Sequence, residues 1–143
     1  RLDAERRRRK KLVIAAGVMW TPGGLPQNCH QCRHPEHGPE LRKQWGCDEP
    51  TEWEQMVADC VVCSGKSLTC PHCKGEGKIR YHRCPNTLLK RDAADVCRAA
   101  LMFEQSVLPV AGGWAEQSAV FIDALAIARA ELAHYRRLAM KEK

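Results

Sequence analysis

Two stretches in the last third of the chain space their apolar residues alternately four and three positions apart. They cover residues 89–107 and 114–139, and the segment between them contains Pro109 and Gly113. Such spacing places side chains on one face of a helix, so the pattern predicts two helices joined by a short turn into an antiparallel helical hairpin. The two predicted seams are Leu89, Ala93, Val96, Ala100, Phe103, Val107 and Trp114, Ser118, Phe121, Leu125, Ala128, Leu132, Tyr135, Ala139. Cys97, beside the first seam, is expected in the core.

The start of the chain predicts a helix over residues 3–16. Asp3 and Glu5 come first and suit the positive end of a helix dipole. An unbroken basic run follows, and an apolar run of nine residues, 12–20, comes after it. Nine residues are too few to span a bilayer, so no membrane association is expected. The basic run is Arg6, Arg7, Arg8, Arg9, Lys10 and Lys11.

The middle of the chain predicts only short elements. Residues 39–45 suit one or two helical turns, with Gly46 as the cap. Thr51 and Glu54 have capping-box spacing, which predicts a helix over residues 49–59 whose apolar face covers nearby cysteines. Ile79 and Tyr81 alternate with polar residues, which predicts a strand over residues 78–83.

Composition divides the chain into three parts. Residues 20–86 hold seven of the eight prolines and eight of the nine cysteines, whereas residues 87–143 hold 13 alanines. We therefore expect a basic N-terminal helix over 1–20, a cysteine-rich module with little regular structure over 21–86, and the helical hairpin over 87–143. The predicted fold class is mainly α, with a small module stapled by metal.

The cysteine-rich part contains a tandem repeat of ten residues. Cys60, Cys63 and Gly65 recur as Cys70, Cys73 and Gly75. Two C-x-x-C pairs at this separation can surround one zinc ion tetrahedrally, as in a structural site. The glycines suit a sharp turn that directs backbone N–H groups at the sulfurs.

This repeat resembles the cysteine-rich zinc domain of the DnaJ-type chaperones and of short relatives such as anti-TRAP, whose unit is C-x-x-C-x-G-x-G. Residues 70–77 match that unit completely, and residues 60–67 depart from it at Ser67. The resemblance implies zinc and a scaffold that binds a peptide or a partner. It implies no J-domain, because the His-Pro-Asp signature is missing.

A second metal site is predicted from the remaining cysteines of this region, which gives two zinc ions in all. Cys29, Cys32 and Cys47 need a fourth ligand, and Cys84 is the cysteine left over once the first site is closed. His30, His34 and His37 are the alternative fourth ligands. The simpler alternative is that these cysteines are buried and hold nothing.

Charge adds a second hypothesis about function. The formal net charge is +6, and residues 1–11 contribute +5 of it. The basic run could contact phosphates or an acidic partner, but no aromatic residues alternate with it to stack on bases. The plainer interpretation is a solvated helix face. Thiols in C-x-x-C form favour a reducing compartment, hence the cytoplasm.

A second resemblance involves residues 108–113, with Gln117 and Phe121 shortly after, and the Cys84-Pro85 pair before the helices. These features resemble small zinc-knuckle proteins encoded in the tail and neck gene clusters of tailed bacteriophages. The likeness implies a role in virion assembly, in the host cytoplasm or in the virion itself, and no catalytic residues.

The sequence therefore predicts a zinc-binding structural or assembly protein that binds a protein partner, either a phage structural component or another copy of itself. The alternative is a nucleic-acid-binding module that uses the basic run. An enzyme is not expected. A redox C-x-x-C needs one accessible thiol of low pKa, usually at a helix N-terminus in an α/β domain, whereas the pairs here are doubled and lie in turns. A catalytic zinc would need three ligands and an open position beside a carboxylate such as Asp48 or Glu49. The set Cys29, Cys32 and Cys47 could provide it only if Cys84 does not complete that set.

Overall fold

The computed structural model describes residues 2–21, 29–113 and 116–143, and most of its regular structure is helical. In this part of the chain no helix is both long and apolar enough to cross a membrane. In chain order the elements are α1 (Leu2–Trp20), α2 (Cys29–Cys32), α3 (Gly38–Trp45), β1 (Met56–Asp59), β2 (Lys78–Tyr81), α4 (Pro85–Leu88), α5 (Arg91–Glu104) and α6 (Ala119–Lys141).

The chain forms two compact units. Residues 25–89 form one, and residues 1–24 together with 90–143 form the other. The cysteine-rich unit lies close to the predicted range 21–86. The N-terminal helix belongs to the helical unit, in which α1 packs against α5 and α6. Its apolar residues give the reason: six consecutive positions of α1, residues 12–17, are buried, and they need partners on several sides.

Small residues allow close packing in the helical unit. Ala93, Cys97 and Ala100 are buried on α5, and Leu125, Ala128, Leu132 and Tyr135 are buried on α6. The expected core position of Cys97 agrees with its full burial. Of the other seam positions, Val107 follows the end of α5 and is exposed, Leu89 belongs to the cysteine-rich unit, and Trp114 lies outside the described residues.

The predicted antiparallel hairpin is wrong, because α5 and α6 run in the same direction. Near the start of both helices, Ala93 and Ala124 line one cavity. Near the end of α5, the Arg129 guanidinium lies 4.7 Å from the centre of the Phe103 ring, and Arg136 binds Glu104. An antiparallel pair would place Glu104 beside the first turn of α6.

The connection after α5 is long enough to return to the start of that helix, since it spans residues 105–118. Buried Gln117 donates from Nε2 to the Val110 carbonyl at 2.9 Å. Ser118 then caps α6, its hydroxyl accepting a hydrogen bond from the Phe121 N–H. The Pro/Gly segment is therefore part of a long return loop, not a tight turn between neighbouring ends.

In the cysteine-rich unit, β1 and β2 form an antiparallel pair in which Met56 lies opposite Tyr81. The strand predicted over residues 78–83 is observed over Lys78–Tyr81. The helix predicted over residues 49–59 is wrong. Thr51 does not form a capping box, because its hydroxyl donates to the carbonyls of Trp53 and His82.

In the strand Met56–Asp59, buried and exposed side chains alternate with a period of two residues. Met56 and Ala58 are buried and Val57 is exposed, as expected of a strand with one covered face. Trp53 does not cover the cysteines, since 54% of it is exposed. Pairing with β2 therefore overrides a local helix-start signal.

The short helix predicted over residues 39–45 is observed as α3, with Gly46 as its cap. Gly46 has a φ of 70°, and its N–H reaches the carbonyls of Arg42 and Lys43. A Cβ at this position would lie 2.9 Å from the His82 carbonyl oxygen, so glycine also meets a close approach of the chain.

Candidate metal centre

The tandem repeat occupies the whole connection between β1 and β2. Asp59 pairs with Lys78 at the end of the strands, which brings the two ends of the repeat together. The Cys60 N–H then donates to the Gly77 carbonyl at 2.8 Å. The small sheet therefore serves as the base from which both C-x-x-C turns project.

The two turns repeat in structure as they do in sequence. In each, the residue after the second cysteine and the glycine that follows are both left-handed: Ser64 and Gly65 have φ of 52° and 76°, and Lys74 and Gly75 have φ of 53° and 82°. The Gly77 N–H donates to Cys73 Sγ at 3.2 Å, and the Ser67 N–H donates to the Cys63 sulfur. These N–H groups are the donors that the glycines were expected to aim at the sulfurs.

The four sulfurs of the repeat converge. Those of Cys60, Cys63, Cys70 and Cys73 all lie within 4.8 Å of one another. The Cys60–Cys70 pair is separated by 3.8 Å and the Cys63–Cys73 pair by 3.7 Å. A tetrahedron with metal–sulfur bonds of about 2.3 Å requires sulfurs about 3.8 Å apart. The arrangement therefore fits one tetrahedral metal ion.

The electrostatics of this cluster favour thiolates at its outer side. The N–H of Ser67, joined by that of Gly65, lowers the pKa of Cys63 to about 6. Burial raises the pKa of Cys60 to about 11. Hydrogen bonds to the charged form stabilise it, whereas loss of water destabilises it. A metal ion would supply the positive charge that the buried side of the cluster needs.

The cluster is closed by its own ligands. Cys60, Cys70 and Cys73 are buried, and Cys63 and Ile79 pack against them. Within the described residues, no histidine or carboxylate joins this set of converging ligand atoms. Four protein ligands would fill the coordination of a tetrahedral ion, which is the ligand number of structural zinc sites.

No protein-family model, curated protein or solved structure matches this chain. We therefore infer the role of the four-cysteine cluster from the chemistry and geometry of its own residues.

The second predicted set is only partly assembled. The Cys47 thiol interacts with the thiols of Cys84 and Cys32, and burial, then the neighbouring Cys84, raises its pKa to about 12. Asn86 Nδ2 donates to Cys29 Sγ at 3.2 Å. Among the described residues, neither these four sulfurs nor any three of them form a set in which every pair is within 4.8 Å.

Two of the three histidines proposed as alternative ligands, His34 and His37, contact each other. His34 and His37 stack with ring centres 4.1 Å apart and planes 7° from parallel. With Glu36 they form a second, exposed group of neighbouring ligand atoms, which the sequence analysis did not single out. The His-x-Glu-His spacing is the signal that could have indicated it. The nitrogen lone pairs lie in the ring planes, and these two planes are separated and nearly parallel, so the stacked pair does not direct both lone pairs at one point.

The basic run does not form a converging site. On α1, five of its six side chains are exposed and Arg8 is half-buried. Lys11 contacts Asp92 at 3.3 Å in a solvent-exposed ion pair. The charges point outward around the helix, as a solvated face or a docking surface would present them.

One surface feature of the cysteine-rich unit was not predicted from the sequence. A cavity of about 440 Å³ lies between the α3 region and the segment that precedes β1. Pro39, Pro50 and the exposed Trp53 are among its lining residues, and charged side chains of both signs complete the lining. Its signal in the sequence was masked by the wrong helix prediction, which assigned Trp53 to the covered face.

Proposed function

We propose that this chain is a zinc-binding structural protein, in which Zn²⁺ held by Cys60, Cys63, Cys70 and Cys73 stabilises a surface for a protein partner. The observation that carries the proposal is the convergence of the four sulfurs, with 3.8 and 3.7 Å between the paired atoms. Tetrahedral sets of four thiolates bind zinc or iron among biological metals. We assign zinc, because four-cysteine sets are typical of structural zinc sites.

The thinness of the local core supports a structural role. The buried cluster at this site consists of three cysteines, with Cys63 and Ile79 beside it. The strands that support it have only four residues each. Small modules of this kind depend on metal binding for their folding free energy, which is on the order of 10 kcal/mol in zinc-finger peptides.

The closed ligand set of the first cluster supports a structural role for it. A catalytic zinc has three protein ligands and one exchangeable site, and here four thiols already converge. The catalytic alternative concerned the other set of cysteines, which contains Cys47, beside Asp48 or Glu49. Asp48 is paired with the Arg42 guanidinium.

The exposed Trp53 beside a cavity supports the partner-binding part of the proposal. Tryptophan is among the residues that contribute most to binding at protein interfaces. The resemblance of residues 108–113 to phage tail and neck proteins adds the hypothesis that the partner is a virion component, met in the host cytoplasm or in the virion. Another copy of this chain is the other candidate partner.

The test is the metal content of the full chain, measured by mass spectrometry after purification with zinc, together with the spectrum of the cobalt-substituted protein. We expect Cys63→Ser to lose one zinc ion relative to the wild type and to lose the bands of tetrahedral cobalt thiolate at that site. Cys97→Ser is the matched control, since Cys97 is a buried cysteine of the helical unit. A wild-type chain that binds no zinc, or that binds iron in preference, would overturn the proposal.

A second candidate function is nucleic-acid binding, and the distribution of charge favours it. The helical unit holds fifteen basic and nine acidic residues, whereas the cysteine-rich unit holds eight of each. All of the net positive charge therefore belongs to the unit that carries Arg6–Lys11. Binding of this kind weakens steeply with salt. Removing residues 1–11 should abolish it in a fluorescence anisotropy titration, and binding that survives the deletion excludes this candidate.

A further inference from the structure

The geometry points to a second, independent site for a thiophilic divalent ion such as Zn²⁺, built from Cys29, Cys32, Cys47 and Cys84, in which Cys29 is the exchangeable ligand. This site goes beyond the proposed function, which requires only the first cluster. Its ligands come from α2, from the residue after the α3 cap and from the N-cap of α4.

Cys47 is the neighbour of two of the other three thiols. Its thiol interacts with those of Cys84 and Cys32. Within the described residues, the three sulfurs do not yet all lie within 4.8 Å of one another, so binding of an ion would draw them together. Cys32 and Cys84 are buried, with 7% and 2% of their surface exposed, and Cys47 is half-buried. All three are free thiols, so no disulfide accounts for their proximity. A disulfide between any two would leave the third without a partner, whereas a metal ion uses all three.

Backbone contacts hold these thiols in place. The Cys84 N–H donates to the Gly46 carbonyl at 3.2 Å, which sets Cys84 beside the residue that precedes Cys47. The Arg83 guanidinium donates to the carbonyls of Cys47 and Asp48, each at 3.2 Å. On the other side, a Cβ on buried Gly38 would lie 2.6 Å from the Cys32 carbonyl oxygen, so α2 and α3 are in close contact.

Cys29 is placed to complete the site. It lies three residues before Cys32 on α2, so the two side chains project from the same side of that turn. Its sulfur accepts the hydrogen bond from Asn86, which follows Cys84 by two residues. Because Cys29 is exposed, a change of its side-chain rotamer can exchange the Asn86 contact for a metal. This is why Cys29 is assigned as the exchangeable ligand.

The charges around the thiols suit a thiolate site. Four thiolates and one divalent ion carry a net charge of −2. Arg42 interacts electrostatically with Cys47 and Cys32, and the Arg83 guanidinium lies against the Cys47 carbonyl. The Arg83 guanidinium can offset part of the charge of a loaded site, whereas Arg42 is also paired with Asp48. The stacked His34 and His37 offer no converging lone pairs, which favours Cys84 over either histidine as the fourth ligand.

The first test is zinc stoichiometry of the full chain. We expect two zinc ions per wild-type chain, one in Cys47→Ser, one in Cys63→Ser and none in the double variant. Cys97→Ser and the His34→Ala/His37→Ala variant should both keep two. One zinc ion in the wild type, or an unchanged count in Cys47→Ser, overturns the second site.

The second test needs no variant and so does not depend on folding of a mutant. Alkylation rates of each cysteine are mapped by mass spectrometry at one and at two equivalents of zinc. The second equivalent should protect Cys29, Cys32, Cys47 and Cys84, and protection confined to the other four would overturn this site while leaving the proposed function intact. Loss of protection at Cys60, Cys63, Cys70 and Cys73 alone would instead count against the proposed function.

The third test addresses Cys29. In a chelator competition, Cys29→Ser should release one of its two zinc ions more readily than the wild type, with an affinity lowered by more than about tenfold. Loss of a residue that only hydrogen-bonds to a metal ligand already lowers metal affinity by about tenfold or more, and loss of a ligand should cost at least as much. An unchanged release curve would show that Cys29 is not a ligand.

Discussion

Gly77 and Gly65 touch backbone to backbone. A Cβ built on Gly77 would lie 3.0 Å from Gly65 Cα and 3.3 Å from its carbonyl oxygen, and Gly77 has a φ of 71°. The two turns of the tandem repeat therefore pack against each other through their glycines. The equivalent of Gly77 in the first turn is Ser67, which is not among the described residues of positive φ. This explains why the first repeat can depart from the C-x-x-C-x-G-x-G unit at that position.

Replacing Gly77 by alanine should weaken the metal centre. The substitution forces a side chain into a left-handed backbone, at a cost of about 1–2 kcal/mol, and also against Gly65. It disturbs the N–H that bonds to Cys73 Sγ as well. We expect Gly77→Ala to lower the unfolding free energy of the zinc-loaded cysteine-rich unit by more than about 1 kcal/mol. Ser67→Ala is the matched control in the other turn, and equal losses in the two variants would contradict the explanation.

Removing one ligand of the first site should melt the region of the tandem repeat and spare the helices. In Cys70→Ala, amide hydrogen exchange should become fast over residues 60–80, because the local core consists of the cysteines themselves. Exchange in α5 and α6 should stay slow, since they belong to the other compact unit. An unchanged near-UV signal and unchanged metal content in this variant would contradict the role given to Cys70.

The corresponding test in the helical unit is a substitution that leaves a cavity in its core. Leu125 is fully buried, so Leu125→Ala should cost about 2–5 kcal/mol of unfolding free energy. Val120, on the same helix, is 58% exposed, and Val120→Ala should change stability by less than about 0.5 kcal/mol. Denaturant unfolding followed by circular dichroism measures both. Zinc content should be unchanged in both variants, and a loss of zinc in Leu125→Ala would contradict the independence of the metal site.

The contact between Glu104 and Arg136 should make the helical unit sensitive to acid. Hydrogen bonds from Arg136, at 2.8 and 2.7 Å, lower the pKa of Glu104. Because the folded-state pKa lies below the unfolded value of about 4.3, the contribution is present above that pH and is lost as the pH falls through the folded-state pKa. We expect Glu104→Gln to lower the Tm at neutral pH and to make no difference in strong acid.

The double variant Glu104→Gln/Arg136→Gln, compared with the two single variants, measures the interaction energy between the two side chains. If the pair acts as described, the coupling between the two substitutions is present at neutral pH and absent in strong acid. A coupling that does not change with pH would show that packing, not charge, links the two side chains.

Local signals were enough for several elements. Gly46 and the residues before it predicted α3, because a left-handed cap needs little beyond its own turn. The alternation at Ile79 and Tyr81 predicted β2. In the same region, the capping-box spacing of Thr51 and Glu54 led to a wrong helix prediction, because such spacing indicates only where a helix could begin. The pairing partners of residues 56–59 are residues 78–81, which lie much later in the chain, and this pairing decided the outcome.

The first metal cluster was predictable because its ligands are near one another in sequence. Cys60 to Cys73 span two short turns, and the thiol spacing with its glycines restricts those turns to a shape that brings the sulfurs together. The contacts of Cys84 could only be guessed by elimination. They depend on a hydrogen bond to Gly46, which lies 38 residues earlier in the chain.

By itself, the sequence determined the four-cysteine cluster and the helical character of the last third, because both follow from spacings of a few residues. The tertiary structure alone decided that α5 and α6 run in the same direction, that α1 supplies the third helix of their unit, and that Trp53 is exposed. These outcomes depend on how a long loop returns and on which strand is paired. Helix direction and strand pairing are decided when residues distant in sequence are buried together, and the pattern of a single segment carries no information about its distant partners.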